Sequence, residues 1–187
     1  MSAHDTNPAH FNRTARSLHW LMAVLIIAML FIGVGMVSSV STRPWLIDLH
    51  RPMGIAILLL AVLRLRNRMR HQPPALPASL PVWQRRAAHA SHWLLYGLMV
   101  ALPVIGWAML SAAGDPVRMA SGLVLPPIAP QDPLVYAALR AAHGWLAYLL
   151  FATVVLHVSA ALLHAWVYRD GVFGAMKLKS EFVRKSQ

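Results

Sequence analysis

Four apolar segments, each near twenty residues long or longer, constrain this chain more than any other feature of its sequence. They lie at residues 18–37, 46–65, 89–110 and 141–168. About twenty apolar residues in an α-helix cross the roughly 30 Å of hydrocarbon in a bilayer. The segments therefore predict a membrane protein with four transmembrane helices, the fourth of which is long enough to span the bilayer with tilt.

The composition agrees with a membrane domain and excludes a soluble enzyme. Only 12% of the residues are charged, whereas a typical soluble domain has about 25%. So few charges leave too little polar surface to cover a water-exposed globule. The sequence shows no internal repeat and no second domain, so we expect residues 1–187 to form a single all-α membrane domain.

The chain contains no cysteine. This excludes disulfides, thiolate metal sites and cysteine-ligated iron–sulfur clusters. It also excludes covalent c-type haem, which needs a C-x-x-C-H attachment sequence. Any metal centre must therefore be held by other side chains.

The basic residues are distributed unequally between the two sides of the predicted bundle. Four spans place both termini on one side, and that side has thirteen of the 17 Lys and Arg residues. Because basic residues accumulate on the cytoplasmic side of membrane proteins, we expect both termini in the cytoplasm. Orientation and contact with anionic lipid then account for the net charge of +11, without nucleic acid as a partner. The other side has only Arg43, Arg51, Arg118 and Arg140.

Seven of the ten histidines lie in or beside the apolar segments, where ionisable side chains are costly and usually functional. A single histidine near a helix end is also explained as an interfacial residue or an interhelical hydrogen-bond donor. The depth of each histidine along its span is therefore needed to distinguish a functional role from an interfacial one. The seven are His19, His50, His89, His92, His143, His157 and His164.

Four of these histidines fall at two depths. His19 and His157 lie near the inner edge of the first and fourth spans, and His50 and His143 lie near the outer edge. Fourteen residues separate His143 from His157, which is about 21 Å along the helix and close to four full turns, so both side chains leave the same helix face. The inner pair is then His19 with His157, and the outer pair is His50 with His143.

Two imidazoles at each of two depths suit two six-coordinate haems stacked across the membrane. Bis-imidazole ligation fills both axial positions of the iron and favours electron transfer over oxygen binding. Four-helix bundles build cofactor sites from side chains on facing helices. Without cysteine the haems must be non-covalent, so we predict a four-transmembrane-helix bundle that encloses two b haems.

The inner level has more histidines than two axial positions need, because His89, His92 and His164 lie there as well. A hydrogen bond to a haem propionate or a lipid headgroup is one role for them. A zinc site is a second, and proton handling beside a quinone is a third. The sequence leaves these roles open.

Other residues near the expected haem levels fit the same interpretation. The arginines there could pair with propionates, or could orient the protein and extend to the interface. Gly54 and Gly144 lie close to the outer histidines, and their missing side chains would let a flat macrocycle approach the helices. The arginines are Arg16, Arg51, Arg64 and Arg140.

Each predicted span also has a short motif, and the motifs occur in a definite order. The first span has R-S-L-H-W at residues 16–20, and the second has His50 with Gly54 and the later Arg64. The third has A-H-x2-H-x3-Y at 88–96 and A-L-P-V-I-G at 101–106. The fourth has His143-Gly144, then His157, and a basic end at 168–170. With these motifs the chain resembles the prokaryotic cytochrome b561 family over nearly its whole length.

The resemblance implies a di-haem b cytochrome of the bacterial inner membrane. By the family pattern, His19 and His157 ligate the inner haem, and His50 and His143 ligate the outer one. The short stand-alone members look most similar, and among them is a superoxide oxidase that reduces ubiquinone. We therefore expect electron transfer between a periplasmic donor, expected to be superoxide, and the ubiquinone pool. The resemblance transfers no quinone-site residues.

Other functions stay open on the sequence alone. A haem b membrane-anchor subunit would exchange electrons with a partner subunit in a hydrogenase- or formate-dehydrogenase-like complex. A non-redox membrane protein would use its histidines to bind zinc or to sense pH. A transporter is disfavoured, because the four spans lack an inverted repeat and have no acidic residue at mid-membrane.

Overall fold

A computed structural model describes residues 10–77, 80–119 and 122–177. His4, Lys179, Arg184 and Lys185, which the sequence places in solvent or on the cytoplasmic side, lie outside the described residues. Four long helices make up most of the described chain: α1 (Arg13–Ser38), α2 (Arg43–Arg70), α3 (Val82–Ala112) and α4 (Pro133–Leu163). A π-helical turn at His164–Tyr168 continues α4, and a short 3-10 turn follows at Gly174–Met176.

All four helices are long and apolar enough to cross a membrane, which confirms the predicted all-α membrane class. Each helix begins before the apolar segment that predicted it, and side-chain caps mark the first turns of α1 and α4. The side chain of Asn12 accepts a 2.7 Å hydrogen bond from the N–H of Ala15 at the start of α1. The side chain of Asp132 accepts hydrogen bonds from the N–H groups of Leu134 and Val135 at the start of α4.

The helices pack in chain order, α1 against α2, α2 against α3 and α3 against α4. Their buried apolar side chains form one core at mid-height, between the two levels of histidines. On α4, for example, the buried Leu150 lies midway between His143 and His157. The core residues are Met22, Ile26, Ile57, Ala61, Tyr96, Leu98, Met99, Leu102 and Leu150.

The outward faces of the helices are apolar and exposed. Phe31 is 74% exposed and Leu156 is 70% exposed, and neither lies near a helix end. Such a surface is unfavourable in water and matches contact with the hydrocarbon of a bilayer. Trp45 and Trp83 are also exposed and lie near helix starts, where tryptophan is enriched at membrane interfaces.

The connection between α3 and α4 folds back over one end of the bundle. The indole Nε1 of Trp107 donates a 2.9 Å hydrogen bond to the carbonyl of Pro126, and the N–H of Ile128 donates to Oγ of Ser111. Gly114 provides the reversal after α3 with a φ of 71°, a conformation that favours glycine. The described part of this connection therefore forms a cap on the end of the bundle.

Candidate functional site

Half-buried histidines gather at both ends of the bundle, together with arginines that the sequence singles out. We call the site at the end of the bundle where α1 begins and α4 ends the termini-side site, and the site at the end with the cap the connection-side site. The termini-side site comprises His19, His92, His157 and Arg64. The connection-side site comprises His50, His143, Arg51 and Asp115.

At the connection-side site the ring of His50 on α2 lies next to the ring of His143 on α4. Their centroids lie 6.1 Å apart, and the ring planes meet at 67°. Metal–imidazole bonds are about 2 Å long, so two imidazoles on opposite sides of one metal ion have centroids about 6 Å apart. The observed spacing therefore fits one iron between the two rings.

The surroundings of this pair suit a flat ligand. A Cβ added at Gly54 or Gly144 would meet no atom within 4 Å, so the helix surfaces beside both histidines are open. A Cβ at Gly106 would lie 3.3 Å from Cε1 of His143, so α3 passes directly against that ring. The Nδ1 atoms of His50 and His143 are buried and have no hydrogen-bond partner within the described residues.

Arg51, next to His50, is paired with a carboxylate of the protein itself. Its Nη1 donates to Oδ1 of Asp115 at 3.4 Å, and its Nη2 donates to Oδ2 of the same residue. Asp115 belongs to the cap, so this ion pair joins the cap to α2. The guanidinium of Arg51 therefore already has a carboxylate partner within the protein.

The termini-side site brings together histidines from three helices. The ring centroids of His19 on α1 and His157 on α4 lie 6.4 Å apart, and those of His92 on α3 and His157 lie 5.7 Å apart. Both spacings fit one metal ion between two imidazoles. The geometry therefore gives His157 two candidate partners, of which His19 is the one predicted from depth.

Arg64 is the central cation of the termini-side site. Its Nη2 donates a 2.9 Å hydrogen bond to Nδ1 of His19, and its guanidinium lies 5.5 Å from the ring centroid of Tyr96. Arg68, one turn further along α2, lies over the rings of Tyr96 and Trp93. Among the described residues, neither arginine forms an ion pair with a carboxylate.

The other predicted residues have different surroundings. Arg16 is buried, its Nη1 donates to the carbonyl of Lys177, and its Nε has no hydrogen-bond partner among the described residues. His164 bonds through Nδ1 to Oδ2 of Asp170 at 2.6 Å. His89 and Arg140 are exposed. Of the surplus histidines, only His92 joins the paired rings.

The donor set fits haem better than a bare metal ion. In residues 10–77, 80–119 and 122–177, no three His, Asp or Glu side chains are arranged to hold one metal ion. Haem would take at most two protein ligands for its iron, and each pair of imidazoles could supply them. Nε of Arg16, which is buried and has no hydrogen-bond partner in the part of the chain that the structure describes, also suits an acidic group near the termini-side site.

Sequence reasoning missed two partners in these sites, Asp115 for Arg51 and the ring of Tyr96 for Arg64. Tyr96 closes the motif at residues 88–96, but the motif does not show that it meets α2. Asp115 lies just after α3 in a chain with only six acidic residues, which is the available hint for its ion pair.

The fold and its paired imidazoles define a haem-binding bundle of four membrane helices. The model of the family described as prokaryotic cytochrome b561 matches residues 10–178. The "Probable superoxide oxidase CybB" of Yersinia pestis is 35% identical over 164 residues, which cover 87% of this chain and 92% of the relative. "Cytochrome b561 homolog 2" of Escherichia coli (strain K12) is 28% identical over 92% of this chain and 94% of the relative.

The chain therefore belongs to the prokaryotic cytochrome b561 family. It is a membrane cytochrome b, an electron carrier with several spans in the bacterial inner membrane, and its cofactor is haem b.

Proposed function

We propose that this chain is a superoxide oxidase, a two-haem cytochrome that carries electrons from superoxide at the connection-side site to ubiquinone at the termini side. One observation supports this most strongly: imidazole pairs with centroid spacings of 6.1 and 6.4 Å lie at opposite ends of the bundle. His143 and His157 are fourteen residues apart on α4, which is about 21 Å along the helix. Two redox centres at these depths would divide the membrane crossing into short steps.

In this proposal His50 and His143 ligate one haem, and His19 and His157 ligate the other. Haem supplies reversible one-electron redox chemistry, while the protein sets the position and potential of each centre. Gly54 and Gly144 leave open helix surface beside the first pair. The four helices also exclude water from the apolar core between the two sites.

Arg64 has a specific part in loading the termini-side site. It donates to Nδ1 of His19, so the neutral ring has its proton on Nε2. A haem bound through Nε2 would need the other tautomer of His19, with the proton on Nδ1, and Arg64 would then no longer donate to this ring. Its guanidinium could instead bind a carboxylate of the cofactor.

The choice of superoxide as donor rests on the name of the relative that is 35% identical. The electron balance is simple: two superoxide ions lose one electron each and become O2, and one ubiquinone takes two electrons and two protons to become ubiquinol. Because superoxide gives one electron at a time and ubiquinone takes two, one-electron centres between them match the stoichiometry.

The orientation in the proposal rests on charge. The end of α2 on the termini side has four arginines between residues 64 and 70, and the connection side has few basic residues. Basic residues favour the cytoplasmic side, so the termini would be cytoplasmic and the connection-side site would face the periplasm, where external superoxide is met.

The first experiment is a pyridine haemochrome assay on the purified chain, with a reduced-minus-oxidised spectrum. We expect two low-spin b haems per chain. Superoxide should then reduce the haems and yield ubiquinol from added ubiquinone, and superoxide dismutase should abolish both reactions. One haem per chain would contradict the two-site proposal.

A haem-loaded chain that superoxide does not reduce would contradict the proposed donor. A second subunit that co-purifies with the chain would instead support the membrane-anchor function.

A further inference from the structure

The chain leaves α4 through a sharp bend and returns to the start of α1. The π-helical turn His164–Tyr168 widens the end of the helix, and Arg169 follows with a φ of 52°, in the left-handed region. The contact between His164 and Asp170 spans the bend. We call residues 169–177, which follow the turn, the strap.

Hydrogen bonds from three donors hold the strap against the start of α1, two of them on α1 and one at Phe11 just before it. Three successive carbonyls, those of residues 175–177, accept one bond each, so the strap lies along the first turns of α1. The bonds run from the N–H of Phe11 to Ala175 (3.3 Å), from Nε1 of Trp20 to Met176 (3.0 Å) and from Nη1 of Arg16 to Lys177 (2.9 Å).

Two of these donors flank a histidine of the termini-side site. His19 lies one turn after Arg16 and immediately before Trp20, and its ring centroid is 5.5 Å from the Trp20 ring. His157, the facing histidine, lies on α4, the helix that leads into the strap. The strap therefore links the helix of one histidine to the helix of the other.

We propose that the strap closes the termini-side site and that Arg16 and Trp20 are positioning residues, which hold His19 opposite His157. The inference rests on the proposed role of these two histidines as haem ligands. An open strap lets α1 move away from α4, and haem then leaves this site faster. The connection-side site, at the other end of the bundle, keeps its haem.

The test compares Trp20→Phe with Trp107→Phe in the haem-loaded chain. Each change keeps an aromatic ring and removes one indole donor to a backbone carbonyl, at 3.0 Å on the strap and at 2.9 Å on the cap. Haem transfer to excess apomyoglobin measures the rate of loss, and His143→Ala identifies the phase that belongs to the termini-side haem. We expect Trp20→Phe to speed that phase about fivefold, the factor for one hydrogen bond.

Trp107→Phe should leave the termini-side phase unchanged. Equal rates for that phase in the two variants would overturn the proposal.

A disulfide gives a second test that does not depend on Trp20. The chain has no cysteine, so Phe11→Cys with Ala175→Cys introduces the only two thiols, at backbones joined by a 3.3 Å hydrogen bond. We expect oxidation to form the disulfide, seen as a mobility shift, and to slow termini-side haem loss relative to the same variant after reduction. Each single-cysteine variant is the control.

Failure of the disulfide to form, or equal haem loss with and without it, would overturn the strap proposal. A crosslinked chain that binds no haem would contradict the proposed function instead, because the mobility shift reports strap docking independently of the cofactor.

Discussion

The two ends of the bundle balance positive charge differently. At the connection-side site, Arg51 bonds to Asp115 of the cap, so its charge is compensated by a neighbouring carboxylate. At the termini-side site, Arg64 contacts a histidine nitrogen and the ring of Tyr96, and no carboxylate of the described residues pairs with it. The two sites therefore offer similar imidazole pairs in different electrostatic surroundings.

This difference has a consequence for electron flow. Positive charge near a redox centre stabilises the state with one more electron and raises its reduction potential. We therefore expect the termini-side haem to have the higher potential. Electrons would then move from the connection-side site to the termini-side site, the direction that transfer from superoxide to ubiquinone requires.

The largest expected effect comes from removing a histidine of one pair. His143→Ala should remove the connection-side haem and spare the other, whereas His157→Ala should do the reverse. Each variant should retain about half of the haem in a pyridine haemochrome assay, because the altered pair loses one of the two imidazoles that would ligate its haem. Loss of both haems from a folded variant would show that the sites are not independent.

The next prediction concerns which histidine, His19 or His92, ligates the termini-side haem together with His157. His19→Gln should remove the termini-side haem if His19 is the ligand, and His92→Gln should leave haem content unchanged. Glutamine is close in size to histidine and remains polar, so packing is disturbed little. The opposite result would assign the ligand to His92, whose ring centroid lies 5.7 Å from that of His157.

Arg64→Gln tests the charge difference between the sites. Removing this positive charge should lower the midpoint potential of the termini-side haem by on the order of 50 mV. Redox titration followed by visible absorbance measures this shift. Arg66→Gln is the matched control, because Arg66 is on the same helix but exposed, and its change should move the potential much less.

Asp115→Asn should have the smallest effect and the opposite sign. It leaves Arg51 uncompensated, so the connection-side potential should rise and the gap between the two sites should narrow. We expect on the order of 20 mV at low salt and less at high salt, because the side chain of Asp115 is 46% exposed. An unchanged midpoint potential of the connection-side haem at low salt would show that the Arg51–Asp115 ion pair does not influence it.

The sequence alone was sufficient to predict an architecture of four membrane helices. Hydropathy over windows of about twenty residues is a local property, so it predicted all four membrane helices. Helical periodicity is also local, and the spacing of His143 and His157 was enough to place them on one face of α4. Because the chain has no cysteine and only six acidic residues, its composition favoured histidine as the side chain that ligates a metal.

The contacts between helices were decided only by the tertiary structure. Three surplus histidines looked equivalent along the chain, yet His92 joins the paired rings, His164 bonds to Asp170 and His89 is exposed. The rotation of each helix about its axis and the paths of the cap and strap decide which side chains meet. Those depend on packing between segments far apart in sequence, which no local pattern encodes.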